Sequence, residues 1–134
     1  MANYAEILPA RRALRCIVAA ANARVDHYRL QQESSQAIHT SLVEMRQGRD
    51  SHVTTHSIAL GGLLVRNDVE AVLMGQGAEC TMNGLYAVKG RQHVDNRTCV
   101  DHREPHCSSH QLYKGVLDER SRGVFNGKII VREG

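Results

Sequence analysis

The chain has 134 residues, 42% of them apolar and 23% charged, which is enough for one ordinary domain and no more. With Phe125, four tyrosines and no tryptophan, its core must be built from Val, Ile, Leu and Ala, a set that suits thin, layered packing. The net charge of +3 is carried by the first 24 residues, where Arg11, Arg12, Arg15 and Arg24 face only Glu6; the remainder is neutral and lacks the basic stripe of a nucleic-acid binder.

Residues 1–21 are the least readable. Leu14, Ile17, Val18 and Ala21 fit a helical stripe, while "CIVAA" reads equally as a short strand. The apolar patch is interrupted by arginines and Pro9, so it is too short and too broken to span a membrane. An Arg-rich, acid-poor start allows a transit-peptide reading, against a default of a reduced, cytoplasmic protein.

From Asn22 onward the pattern has period two. In "LVRNDVEAVLMG", Val65, Val69, Ala71 and Leu73 share one face, and Arg66, Asp68 and Glu70 take the other. "HVDNRTCV" places Val94, Thr98 and Val100 together, with Asn96 among them. In "VFNGKIIV", Phe125, Ile129 and Val131 oppose Asn126, Lys128 and Ile130. Turn signals separate the runs at Gly61-Gly62, Gly75-Gln76-Gly77, Lys89-Gly90, Pro105 and Asp118-Glu119.

The runs resemble one another. "NARVDHYRL", "RDSHVTTHSIAL" and "GAECTMNGLYAV" share a small or polar entry, an alternating strand and an apolar exit. Ala23, Ser51 and Ala78 hold equivalent places at a near-constant spacing, the signature of stacked units. "MNGLYAV" and "FNGKIIV" also match. A hairpin meander with Asn-Gly turns is the alternative. The long-range recurrence favours a β-solenoid, with its asparagines stacked at turns of adjacent coils.

Cys16, Cys80, Cys99 and Cys107 include no C-x-x-C pair, so neither a disulfide framework nor a zinc ribbon is indicated. The stretch "HVDNRTCVDHREPHCSSH" nevertheless gathers histidines and cysteines. "HREPH" has the wrong order for a helical zincin motif, and Pro105 opposes the helix that motif needs. A zinc deaminase is excluded because "PHCSSH" lacks the second cysteine. What survives is a metal site from Cys99, His102, His106 and Cys107, which needs a sharp bend to bring its donors together. Set against it is an architectural reading, in which these side chains occupy rungs and turns. A carbohydrate-active β-helix would need a groove of acids, which the strands do not announce.

"GGLLVRND", "NGLY", "QHVDN", "PHCSS", "LYKGVLD" and "GVFNGKI", in this order, resemble the core of the SufB/SufD family of iron–sulfur cluster assembly scaffolds, on its SufD side. The resemblance runs from about Asn22 to the C-terminus, which sets residues 1–21 apart from a core of residues 22–134. It implies an all-β, right-handed parallel β-helix, incomplete at its C-terminal end. It also implies a non-catalytic scaffold that pairs with a SufB-like subunit and a SufC-like ATPase, and binds neither nucleic acid nor membrane. No cofactor is expected to be bound stably, with iron or a cluster held transiently in the full complex. The family's Lys-Cys-Ser-His-Gly segment and its SufC-contacting helices have no counterpart in this sequence, which reads as an internal piece of a longer protein or a degenerate copy.

Overall fold

Alternating side chains dictate extended backbone, and the backbone follows them. The computed structural model describes residues 10–133, in nine strands: β1 (Ala10–Ala19), β2 (Arg24–Gln31), β3 (Ile38–Gln47), β4 (His52–Ala59), β5 (Leu64–Leu73), β6 (Glu79–Val88), β7 (His93–His102), β8 (Ser108–Leu117) and β9 (Arg122–Val131). Odd and even strands separate into two parallel sheets, ordered β1-β3-β5-β7-β9 and β2-β4-β6-β8. Every strand therefore pairs with the strand two places on, and each coil gives one strand to each sheet. The result is a β-solenoid of about 4 turns, the all-β architecture expected from the sequence. Among the described residues no helix is long and apolar enough to cross a membrane.

β1 takes the strand form of the two readings open for its segment, and it pairs with β3 along its whole length. Residues 10–19 thus run in the same ladder as the core. The part of residues 1–21 that precedes Ala10 lies outside the described residues.

The register confirms the repeat. Arg24 pairs with His52 and His52 with Glu79, so Ala23, Ser51 and Ala78 stack immediately before them. Ser51 and Ala78 are fully buried. The inward face of β5 is Val65, Asn67, Val69, Ala71 and Leu73, and that of β7 is Val94, Asn96, Thr98 and Val100. Val43, Met45, Val53, Val69, Ala71, Leu73, Cys80, Met82 and Val100 form the main core between the sheets. In a layer this thin each side chain contacts its own copy one coil away, so small aliphatic residues suffice.

The Asn-Gly match does not mark a repeat. Asn83-Gly84 lies inside β6 and Asn126-Gly127 inside β9, in different sheets, so neither is a turn and the two never stack. Gly84 is small for another reason. A Cβ there would lie 2.1 Å from Cδ1 of Tyr113, whose ring covers it from the next coil. Gly115 is covered in the same way by Tyr86, at 2.2 Å.

Corners carry a second ladder. Asn22, Asp50, Gly77 and His106 occupy equivalent corners in successive coils, all with positive φ. Gly62, Gly90 and Glu119 do the same on the other side. Side chains satisfy the backbone groups that turning leaves unpaired. Gln47 Nε2 donates to the Glu79 carbonyl at 2.7 Å, and the Gln92 Oε1 accepts from Lys89 N–H at 2.8 Å.

An ion cluster fixes the end of β9. Arg132 donates to both carboxylate oxygens of Asp101 at 3.0 Å, and Arg103 donates to Oδ2 at 3.0 Å. Arg132's hydrogen bonds pull the Asp101 carboxyl down to about 2; burial opposes this, and Arg103 adds to the downward pull. A depressed carboxylate contributes stability above its unfolded value, and that contribution is lost as pH falls through the folded value. Urea midpoints of the wild type should therefore fall further between pH 4 and pH 2 than those of Asp101→Asn, the window lying between the ordinary 3.8 and about 2. Parallel acid dependences in the two proteins would remove the latch from the account.

Candidate functional site

The histidine- and cysteine-rich stretch spans β7, one corner and the start of β8. Cys99 sits on the outward face of β7, in register with Glu70 on one side and Lys128 on the other. His102 ends β7 and its Nε2 lies 3.0 Å from Ser109 Oγ on β8. His106 is in the corner, exposed, with φ 60°. Cys107 follows it and packs against the core, its thiol donating to the Gly75 carbonyl at 3.2 Å.

His102, His106 and Cys107 are therefore brought to one corner of one coil, with Cys99 further back along β7, and the four do not meet at one point. Among the described residues, no three His, Cys, Asp or Glu side chains gather in a way that could hold a metal ion. Pro105 supplies the bend a chelate would need, and the corner uses it to turn the chain from one sheet to the other. Of the remaining cysteines, Cys80 faces inward on β6, where burial pushes its thiol up to about 12 and keeps it protonated and inert.

His106 has a readable local task. It fills the left-handed corner slot that Gly77 fills one coil earlier. A non-glycine residue pays roughly 1–2 kcal/mol to adopt that conformation. His106→Gly should therefore raise stability by about 0.5–1 kcal/mol, after the entropy glycine loses on folding is subtracted. Urea denaturation measures it directly, and a loss of stability that added zinc restores in the wild type alone would assign His106 to a metal instead.

The interior holds a feature that the sequence only half announced. Asn96 is buried, and its Oδ1 accepts from Asn67 Nδ2 at 3.2 Å. Asn67 Oδ1 in turn accepts from Ser41 Oγ at 2.8 Å. Arg29, pointing inward from β2, donates to Ser41 Oγ and, at 2.5 Å, to Ser57 Oγ. A continuous chain of polar side chains thus runs along the axis from the first coil to the fourth. Asn67 carries the middle of it. It shares the face of Val65 and Val69, and it stands one coil before Asn96, a spacing that would have found it. The chain ends against Tyr113 and Phe125, whose rings pack 4.7 Å apart. Burial pushes the Tyr113 hydroxyl up to about 12, so it stays protonated. These hydrogen bonds tie four successive coils to one another through buried polar groups.

The family described as "SUF system FeS cluster assembly, SufBD core domain" matches residues 9–134. The iron-sulfur cluster assembly protein SufD of Escherichia coli is 31% identical over 114 residues, covering 85% of this chain and 27% of that protein. An iron-sulfur cluster assembly SufBD family protein of Synechocystis is 29% identical over 110 residues, covering 82% and 24%. A SufBD family protein of Mycobacterium bovis is 36% identical over 80 residues, covering 60% and 20%. No solved structure matches. The chain spans about a quarter of the length of these curated relatives. With stacked parallel strands from Ala10 to Val131, the chain belongs to the SufBD family and holds a SufD-like stretch of its core domain.

Proposed function

We propose that this chain serves as a non-catalytic scaffold segment of SUF iron–sulfur cluster assembly, working beside a SufB-like subunit and a SufC-like ATPase in the cytoplasm. The observation that carries the reading is the family match over residues 9–134, coincident with an unbroken parallel ladder. The side chains fit a scaffold's task. The interior is filled with aliphatic residues and a hydrogen-bonded polar chain, which give the rigidity a scaffold needs. No cofactor is held stably by the chain alone.

Within the complex, Cys107 is the thiol proposed to meet iron transiently, with His102 and His106 at the same corner and Cys99 on the adjoining strand. It is half-buried at the end of a coil, next in sequence to the exposed His106, and a cysteine sulfur is a competent ligand for iron. The experiment is a chimera in which residues 9–134 replace the matching segment of the Escherichia coli SufD. The chimera should assemble with its partners and restore iron–sulfur enzyme activity in cells lacking SufD, with Cys107→Ala lowering the rate of assembly and leaving the complex intact. A chimera that is folded and assembled yet restores nothing contradicts the scaffold reading.

A further inference from the structure

The first coil differs from the later ones in what it points inward. Arg15 on β1 stands in register with Val43, Val69, Thr98 and Gly127 of the coils that follow. His27 on β2 leads the row Thr55, Met82 and Gln111, and Arg29 leads Ser57, Gly84 and Tyr113. Beyond the first coil, these three rows are neutral. In the first coil, they are cationic or titratable at every place.

These side chains line a cavity of about 650 Å³ at the β1–β2 end of the solenoid. That volume is within the range of small-molecule sites. Its walls are mixed, with Ala13, Leu42 and Val43 beside the polar groups. Arg29 is half-buried and donates to the hydroxyls of Ser41 and Ser57, which accept hydrogen bonds but supply no countercharge. Arg15 is exposed to the opening. Glu33 also lines the cavity, and its Oε1 lies 2.9 Å from His39 Nδ1. His27 is lowered in pKa by burial first and then by Arg29 and Arg15, which places both guanidinium charges within reach of the same space.

We infer that this cavity binds a small oxoanion, held by Arg15 and Arg29 with His27 at its side. Guanidinium groups match the geometry of tetrahedral and planar oxoanions, with paired N–H donors and a charge that does not titrate. A partly desolvated cation whose partners are hydroxyls gains most from an anion, because the low-dielectric wall strengthens the attraction. This site is separate from the Cys99–Cys107 corner and does not depend on the scaffold reading.

The test is titration of the purified 134-residue protein with inorganic phosphate and with sulfate, at ionic strength held constant with chloride, followed by calorimetry and thermal melting. Saturable one-to-one binding is expected. Arg15→Gln should weaken it at least about tenfold, the effect of removing one charge-assisted contact. Arg15 is exposed, so this variant keeps its fold, and circular dichroism verifies that. Arg29→Gln should abolish binding, while Arg49→Gln, an exposed arginine paired with Asp50, should leave it unchanged. Absence of saturable binding overturns the inference, as does binding of equal strength in the wild type and Arg15→Gln.

Discussion

Gly75→Ala should cost about 3 kcal/mol or more, the upper end of what overpacking produces. Gly75 turns the chain from β5 toward β6, directly above the previous coil. A Cβ there would lie 2.2 Å from the backbone nitrogen of Arg49 and 2.5 Å from its Cα. Both obstacles are main chain, so no rotamer change relieves them, and the coils must separate at that corner. The Gly48 to Ser51 turn and the Asp50 N–H bond to the Gln76 carbonyl, at 2.9 Å, are disturbed with it. Gly90→Ala is the matched control. It also sits at a corner, with φ 63°, but the nearest atom to its added Cβ is Glu119 Oε2 at 3.6 Å. Its cost is the left-handed conformation alone, about 1 kcal/mol. Urea denaturation of the two variants separates close stacking from backbone strain, and equal costs would show that the coils are not stacked as closely as described.

Asn67→Leu should cost about 2–4 kcal/mol. The substitution keeps the volume close but leaves two buried groups each short of a partner: the Ser41 hydroxyl, which loses its acceptor while still accepting from Arg29, and Asn96 Oδ1, which loses its donor. Each unsatisfied buried group costs roughly 1–3 kcal/mol. The ladder view also predicts the double variant. Asn67→Leu with Asn96→Leu should cost clearly less than the sum of the two single changes, because removing both partners leaves fewer orphans. Strict additivity in a double-mutant cycle would mean that the two amides do not interact.

The coil was legible because the small residues at its entry are fixed by packing. Ala23, Ser51 and Ala78 recur at the same corner, each one residue before strands that stand in register, and their spacing gave the period. Turn positions were legible for a similar reason. Gly62, Gly77 and Gly90 are glycines at positive φ, and Pro105 and Asp118-Glu119 mark the corners that lack a glycine. β1 was ambiguous because both its faces mix apolar residues with arginine. Leu14 and Val18 are exposed on the outside while Ile17 and Ala19 point in, so alternation disappears from the sequence. The Asn-Gly pair misled because one dipeptide arose from two unrelated demands. Gly84 yields to the ring of Tyr113, and Gly127 to the side chains of Thr98 and Phe125. The inward cations of the first coil were not singled out, since a half-buried Arg in a strand looks like any solvent-facing one until the register is known. The candidate site was legible as a list of residues and not as a geometry. Whether Cys99, His102, His106 and Cys107 converge depends on the corner that Pro105 makes, and spacing alone does not specify its direction.

The proposed scaffold role requires residues 93–110 to be architecture, with any metal contact confined to the assembled complex. The direct measurement is a zinc titration of the reduced protein, together with single alanine changes at His102, His106, Cys107 and His110 assayed for folding. Folded proteins are expected in all four cases, with no tight one-to-one zinc complex. A tight one-to-one complex that disappears in the His106→Ala and Cys107→Ala double variant, with folding lost in the single variants and restored by zinc, would contradict it.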